Sequence, residues 1–178
     1  MILSDKQIKE EIILGNIVIQ PYDPKCLGSN SYDIHLSKYL ANYDENILDS
    51  KNHNPIKYFE IPEDGFILWP KTLYLGSTLE YTETHKHVPF LEGKSSTGRL
   101  GINIHATAGK GDIGFCNHWT LEISCIIPVY VYAGMPIGQL IYMTAGECDV
   151  TYNQKDSAKY NQVDVKPKES MMFKNFII

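Results

Sequence analysis

Turn residues interrupt this chain so often that long helices have little room to form. Short apolar runs at 17–19, 56–61, 65–68, 72–81, 102–106, 119–125, 129–132 and 137–143 are separated by Pro, Gly, Asp and Asn. Tyr32, Ile34 and Leu36 alternate with Asp33, His35 and Ser37, the period of a half-buried strand. One segment alone reads as a helix. Ser4-Asp5-Lys6-Gln7 has capping-box spacing, Ile8, Ile12 and Ile13 form a stripe at helical spacing, and Gly15 is placed to end it. Many short strands beside a single short N-terminal helix predict a mainly β fold: a sandwich, jelly roll or barrel.

At 178 residues the expectation is one domain, 1–178, large enough to bury a real core. Residues 44–55 are polar and turn-rich, and 152–162 (YNQKDSAKYNQ) reads as a surface arm. The arm has too few apolar residues to fold alone, so it is expected to order across a ligand or a neighbour. A net charge of −5 argues against a surface built to coat nucleic acid. No run approaches the roughly 18 apolar residues of a membrane span, and MILSDKQIKEE lacks the basic and apolar regions of a signal peptide. Cys26, Cys116, Cys125 and Cys148 are widely spaced, which predicts free thiols in a reducing cytoplasm.

Chemistry concentrates between residues 91 and 123, LEGKSSTGRLGINIHATAGKGDIGFCNHWTLEI. Lys94, Ser95, Ser96 and Arg99 crowd one turn that can offer charges, hydroxyls and amides to an anion. On the strand at 119–125, Trp119, Leu121, Ile123 and Cys125 share one face, and Thr120, Glu122 and Ser124 share the other. Glu122 is then either a solvated outer residue or an acid held in a site that the KSSTGR turn also lines. His85 and His87 share a strand face, but no third metal ligand has recognisable spacing, and H-x-E with P-C-x-x-C and H-E-x-x-H are both absent. A protein-ligated catalytic zinc is therefore not expected. No G-x-S-x-G elbow, Walker A loop or Rossmann fingerprint occurs, and Cys125 on an apolar strand face reads as core before nucleophile.

The core EGKSSTGRLGINIHATAGKGDIGF, followed by TLEIS, resembles the dCTP deaminases, relatives of the trimeric dUTPases. It carries that family's [RK]-S-S-x-x-R motif, H-x-T-A strand, G-x-x-D-x-G-F turn and L-E pair. The opening SDKQI, GSNSYDIHL, AGMPIGQLI and the Y-(x)6-K-Y arm extend the resemblance over nearly the whole chain. It implies a dUTPase-like distorted jelly roll or β-clip, with a C-terminal arm from about residue 150 closing over the nucleotide. It also implies Glu122 as general acid/base, with Ser95 and Arg99 positioning the attacking water. Lys94, Ser95, Ser96 and the Thr97-Gly98-Arg99 turn would bind phosphate oxygens, and Asp112 the deoxyribose 3′-hydroxyl. The backbone from Ile104 through Ala106 to Ala108 would read the base, with Thr120 and Leu121 beside it. Gln139, Tyr152, Lys159 and Gln162 would close on the triphosphate, which would bring Mg²⁺ with it.

Two departures from the family pattern matter, and the second bears on the product. Lys94 stands where many members have Arg, keeping the charge but losing a planar fork. Gly109 makes the motif TAG before Lys110, and TAG is frequent in members that also release pyrophosphate, whereas TAH is frequent in those that only deaminate. The leading expectation is zinc-independent hydrolysis of dCTP to dUTP and ammonia, supplying uracil deoxynucleotide for dTTP synthesis. The alternatives are a bifunctional enzyme giving dUMP and pyrophosphate, and a nucleotide-binding regulator without turnover. The resemblance also implies a cytoplasmic homotrimer with sites between subunits and dTTP as a feedback ligand. The ESMMFKNFII ending lacks the Gly-rich motif of ordinary dUTPases.

Overall fold

The computed structural model describes residues 1–176. Its first element is α1 (Asp5–Ile13), capped as the spacing requires. The Ser4 hydroxyl accepts from the Gln7 amide (3.4 Å), and the Gln7 side chain accepts from the Ser4 amide (3.0 Å). Gly15 follows with φ +73°, the left-handed conformation that ends many helices. Of the expected stripe only Ile8 is fully buried; Ile12 packs partly and Ile13 is 84% exposed. The helix is thus tacked to the sheet by one side chain rather than by a broad face.

The strands follow in order: β1 (Ile17–Gln20), β2 (Tyr32–Tyr43), β3 (Ile56–Glu60), β4 (Phe66–Leu68), β5 (Tyr74–Thr84) and β6 (His87–Gly93). After the one-turn helix α2 (Ser95–Arg99) come β7 (Ile102–Asn103), β8 (Cys116–Cys125), β9 (Val129–Val131) and β10 (Pro136–Thr144). The main sheet runs β6-β10-β2-β5-β8-β7, with β1 added to β5 and β3 to β2, while β4 and β9 form a separate ribbon. Beyond β7 the chain returns to the outer edge of β6. The Leu91 amide donates to the Gly109 carbonyl (2.7 Å), and the Gly111 amide donates to the Pro89 carbonyl (2.8 Å). Those bonds close the sheet into a distorted barrel and cover an edge that would otherwise be left unpaired.

Two elements differ from the sequence reading. β6 is a full strand although it contains Pro89, because proline's missing donor falls on the side facing residues 109–111 and not on the side paired with β10. The strand expected over 102–106 stops at Asn103. Ile104 still packs in the core, and its carbonyl accepts from the Glu122 amide (2.9 Å). The Ala106 amide is taken by the Glu122 carboxylate (2.8 Å), so a side chain replaces the strand ladder at that point.

The core is built mainly from the inward positions of β2, β5, β8 and β10, among them Ile34, Leu36, Leu40, Leu121, Ile123 and Leu140, all fully buried. Every odd-numbered residue of β8 is buried, and every even-numbered one is half-buried. Adjacent residues of β8 should therefore respond very differently to truncation. Ile123→Ala is expected to cost about 2–5 kcal/mol of stability through the cavity it leaves. Ser124→Ala, on the other face, should stay within about 0.5 kcal/mol. Urea unfolding of the two variants measures both.

Candidate active site

β8 turns its half-buried face, with His118, Thr120 and Glu122, toward a cleft of about 680 Å³, within the usual size of a small-molecule site. The opposite wall is the 106–112 turn, with Ala106, Ala108, Lys110 and Asp112. The C-terminal arm forms the roof, contributing Tyr152, Lys159, Tyr160, Lys166 and Lys168. Leu73, Leu75, Phe115 and Trp119 supply apolar surface.

Among the described residues, four carboxylates line the cleft: Asp112, Glu122, Asp164 and Glu169. Three have a basic partner. Asp112 accepts from Lys110 (2.8 Å), Asp164 from Lys168 (2.6 Å), and Glu169 lies 3.1 Å from His53. Burial alone would raise the Asp164 carboxyl, but hydrogen bonds from Lys168 and the Lys166 amide outweigh it and hold the group low. In return Asp164 holds the Lys168 ammonium above its ordinary range. Glu169 is likewise held low, its own amide and His53 outweighing burial. Glu122 is the exception. Among the described residues no cation lies within ion-pair distance of it, and only the Ala106 amide holds it, through Oε2. One oxygen of a fixed carboxylate is left to meet a ligand.

Lys166 lies over the rings of Tyr39 (5.5 Å) and Tyr58 (5.2 Å), and Lys159 donates to Asn175 (2.5 Å). With Lys110 and Lys168 they place four positive charges around one cavity. Burial pushes the Tyr43 and Tyr152 hydroxyls up, although each accepts from an amide, of Ser170 and Tyr160 respectively.

The expected site residues fall into two groups. Glu122, Thr120, Ala106, Ala108, Lys110, Asp112, Tyr152 and Lys159 share the cleft. Lys94, Ser95, Ser96 and Gln139 line a different, open hollow at the start of α2. There the Lys94 ammonium pairs with Asp33. Arg99 ends α2 exposed and without an ion pair among the described residues, and Gly98 beside it is exposed too. Thr97 is buried, its hydroxyl donating to the Lys94 carbonyl (2.8 Å). Leu121 points into the core, so only its backbone can face the cleft. Gln162 is exposed outside the cleft lining, and its carbonyl, not its side chain, is held. Gly109 is buried; a Cβ there would sit 2.6 Å from the Leu91 carbonyl oxygen and 3.2 Å from His105 Nε2.

Sequence reasoning passed over Asn117. Its buried amide donates to the Tyr160 and Gln162 carbonyls (both 3.0 Å) and accepts from the amides of His118 (2.8 Å) and Asp164 (3.1 Å). The arm is therefore pinned to its own β8, where the sequence had suggested a ligand or a neighbour as its support. Only the alternation of β8, with a polar residue at an inward position, could have pointed to it. Burial pushes the Cys125 thiol up, against a nucleophilic role, and among the described residues no helix is long and apolar enough to cross a membrane. Asn117→Leu leaves two arm carbonyls without donors, so amides of 158–166 should exchange hydrogen at least about tenfold faster while those of β2 and β5 do not change. Site-resolved hydrogen exchange reads this directly.

Residues 2–145 match the dCTP deaminase-like family. A protein of Clostridium acetobutylicum named dCTP deaminase, dUMP-forming, is 50% identical over 179 aligned positions, covering 99% of both chains. One of Cytophaga hutchinsonii with the same name is 46% identical over 177 positions, again covering 99% of each. The crystal structure of 2′-deoxycytidine 5′-triphosphate deaminase from Agrobacterium tumefaciens shares the fold with a TM-score of 0.64 at 19% identity, over 81% of this chain. This chain spans about half (48%) of that longer one. With its family match over four-fifths of its length and near-complete alignment to these relatives, the chain belongs to the dCTP deaminase-like family.

Proposed function

We propose that this protein hydrolyses dCTP to dUMP, ammonia and pyrophosphate, at a site that a neighbouring copy completes. The observation that carries the reading is Glu122, among the described residues the one cleft carboxylate without a basic partner, fixed by a backbone amide beside the turn expected to read the base. The relatives' names favour dUMP over the dUTP expected first from the sequence. The packed Gly109 fits the same choice, because the histidine of the TAH motif has no space against the Leu91 carbonyl.

In the first step a water oxygen bonds to C4 of cytosine while Glu122 takes a water proton and delivers it to N3. A second transfer protonates the amine, the C4–N bond breaks, and ammonia leaves. A fixed carboxylate one hydrogen bond from the water suits this work, and donors at the ring steady the charge that develops. In the second step water attacks the α-phosphorus and the bond to the bridging oxygen breaks, giving dUMP and pyrophosphate. The cleft lysines face the triphosphate, and Asp112 the sugar hydroxyl. Mg²⁺ would enter bound to the phosphates. The donor set fits that mode, since three of the four cleft carboxylates are already paired and form no cage of their own. The Mg²⁺ would offset phosphate charge.

Ser95 and Arg99 stand outside the cleft that contains Glu122 in the same chain. Symmetric assembly offers the simplest way to bring the two groups together, with α2 of one copy capping the cleft of the next. A homotrimer is the assembly proposed.

Glu122→Gln keeps the shape and the Ala106 hydrogen bond but cannot take up a proton. Turnover should fall on the order of 10²–10⁴-fold, with dCTP binding retained in calorimetry. Normal deamination by this variant would return Glu122 to the status of a solvated strand residue. Phosphorus NMR of the wild-type reaction should show dUMP and pyrophosphate without accumulating dUTP. A second test addresses the shared site. Co-expressing Glu122→Gln chains with Arg99→Ala chains, each inactive alone, should restore up to about a quarter of wild-type turnover in mixed assemblies. A mixture as inactive as its parents would place the whole site within one chain.

A further inference from the structure

At the far end of the same sheet face, β5 and β8 bring together a sulfur, a nitrogen and an oxygen donor. Glu83 and Cys116 are direct cross-strand partners in the β5–β8 register, so their side chains leave the sheet side by side. His85 lies two residues beyond Glu83 and projects to the same side, its Nε2 2.7 Å from Glu83 Oε2. One donor atom from each of Glu83, His85 and Cys116 lies within 4.8 Å of the other two. Ligand atoms around a tetrahedral Zn²⁺ are roughly 3.3–3.7 Å apart, as bond lengths of about 2.0–2.3 Å require, so small side-chain adjustments suffice.

We propose that Glu83, His85 and Cys116 form a Zn²⁺ site with one position open to water, separate from the catalytic cleft. The backbone around the three donors is already held. The His85 amide donates to the Asn16 carbonyl (2.9 Å), and the Gly114 amide to the Thr84 carbonyl (2.6 Å). The Tyr81 hydroxyl donates to Glu83 Oε1 (2.9 Å), the kind of outer contact that orients a ligating carboxylate while leaving its other oxygen for the metal. Thiolate, imidazole and carboxylate together suit Zn²⁺, and the thiolate counts against the hard cations Mg²⁺ and Ca²⁺. Cys116 lies six residues along β8 from Glu122, roughly 20 Å at the rise of a strand. The metal therefore takes no part in activating the deaminating water. It clips the end of β5 to the start of β8, just past the turn that carries Asp112.

The test uses the full chain, stripped with a chelator and dialysed against Zn²⁺. One zinc per chain should be retained, and the melting temperature should rise by roughly 5 °C at about a hundredfold excess over the dissociation constant. Cys116→Ser and His85→Ala should each weaken zinc binding at least about tenfold while melting like the wild type without metal. Cobalt substitution gives a direct signature: a thiolate-to-metal charge-transfer absorption that is absent in Cys116→Ser. Equal zinc retention by both variants, or cobalt binding without that absorption, would overturn the site. With Mg²⁺ restored, the stripped wild-type protein should turn over dCTP at the rate of the zinc-loaded form; loss of turnover with the zinc would overturn its separation from the cleft.

Discussion

The two-sidedness of β8 is the constraint on which the rest depends. Asn117, Trp119, Leu121, Ile123 and Cys125 enter the interior, and His118, Thr120 and Glu122 between them form the floor of the cleft. Each fully buried large apolar side chain there contributes about 1.5–3 kcal/mol relative to exposure, so the register of the strand is held by several such contributions at once. A slip of one residue would turn all of them outward and drive Glu122 into the core without a partner, a penalty no nearby group could offset. The same burial that stabilises the barrel thus sets the position of the carboxylate. The Ala106 amide then removes the remaining freedom, and with the Ile104 carbonyl bonded to the Glu122 amide it holds the 104–106 backbone against β8.

The arm is bound to this strand by polar contacts rather than apolar ones. Asn117 uses both N–H donors and both carbonyl lone pairs, the full capacity of a primary amide, in an environment only 4% exposed. Thr120 accepts from the Lys168 amide (3.0 Å), Ser77 donates to the Val165 carbonyl (2.6 Å), and Tyr58 donates to the Pro167 carbonyl (3.1 Å). Contacts of this sort contribute about 0.5–1.5 kcal/mol each, enough in concert to dock a segment yet few enough to let it open. A roof held this way opens at lower cost than one docked by a large buried apolar face.

Much of this was legible in the residues, and the failures have physical causes. The capping box, the alternation in β2 and β8 and the free thiols all follow from short-range chemistry, and each is present. Pro89 hid β6, because whether a proline breaks a strand depends on which side its missing donor faces, and that is settled only by β10 and residues 109–111. The short β7 was hidden by a side chain sixteen residues from the amide it takes, that of Glu122 on Ala106. His85 looked like half of an incomplete metal pair with His87, yet its nearest donors are Glu83 and Cys116, the second joined to it only by strand pairing. His87 instead turns inward, with Nε2 3.1 Å from Glu11 but poorly aligned for a hydrogen bond. Local patterns disclose which face a residue occupies; they do not disclose which distant residue shares it.

Gly109 shows how closure of the barrel and chemistry of the site are joined. Its carbonyl receives the Leu91 amide, one of the bonds that seal β6, and its α-carbon approaches the Leu91 carbonyl too closely for any side chain. The turn that carries Ala106, Ala108, Lys110 and Asp112 is therefore drawn against β6 at its midpoint. A residue with a Cβ at 109 must push that midpoint outward, breaking the seal or shifting the backbone that lines the cleft. Gaps of this kind are not filled by small adjustments, since the nearest atom is main chain and the wall behind it is a strand paired to β10. The choice between glycine and a larger residue at this position consequently changes where the turn stands over Glu122.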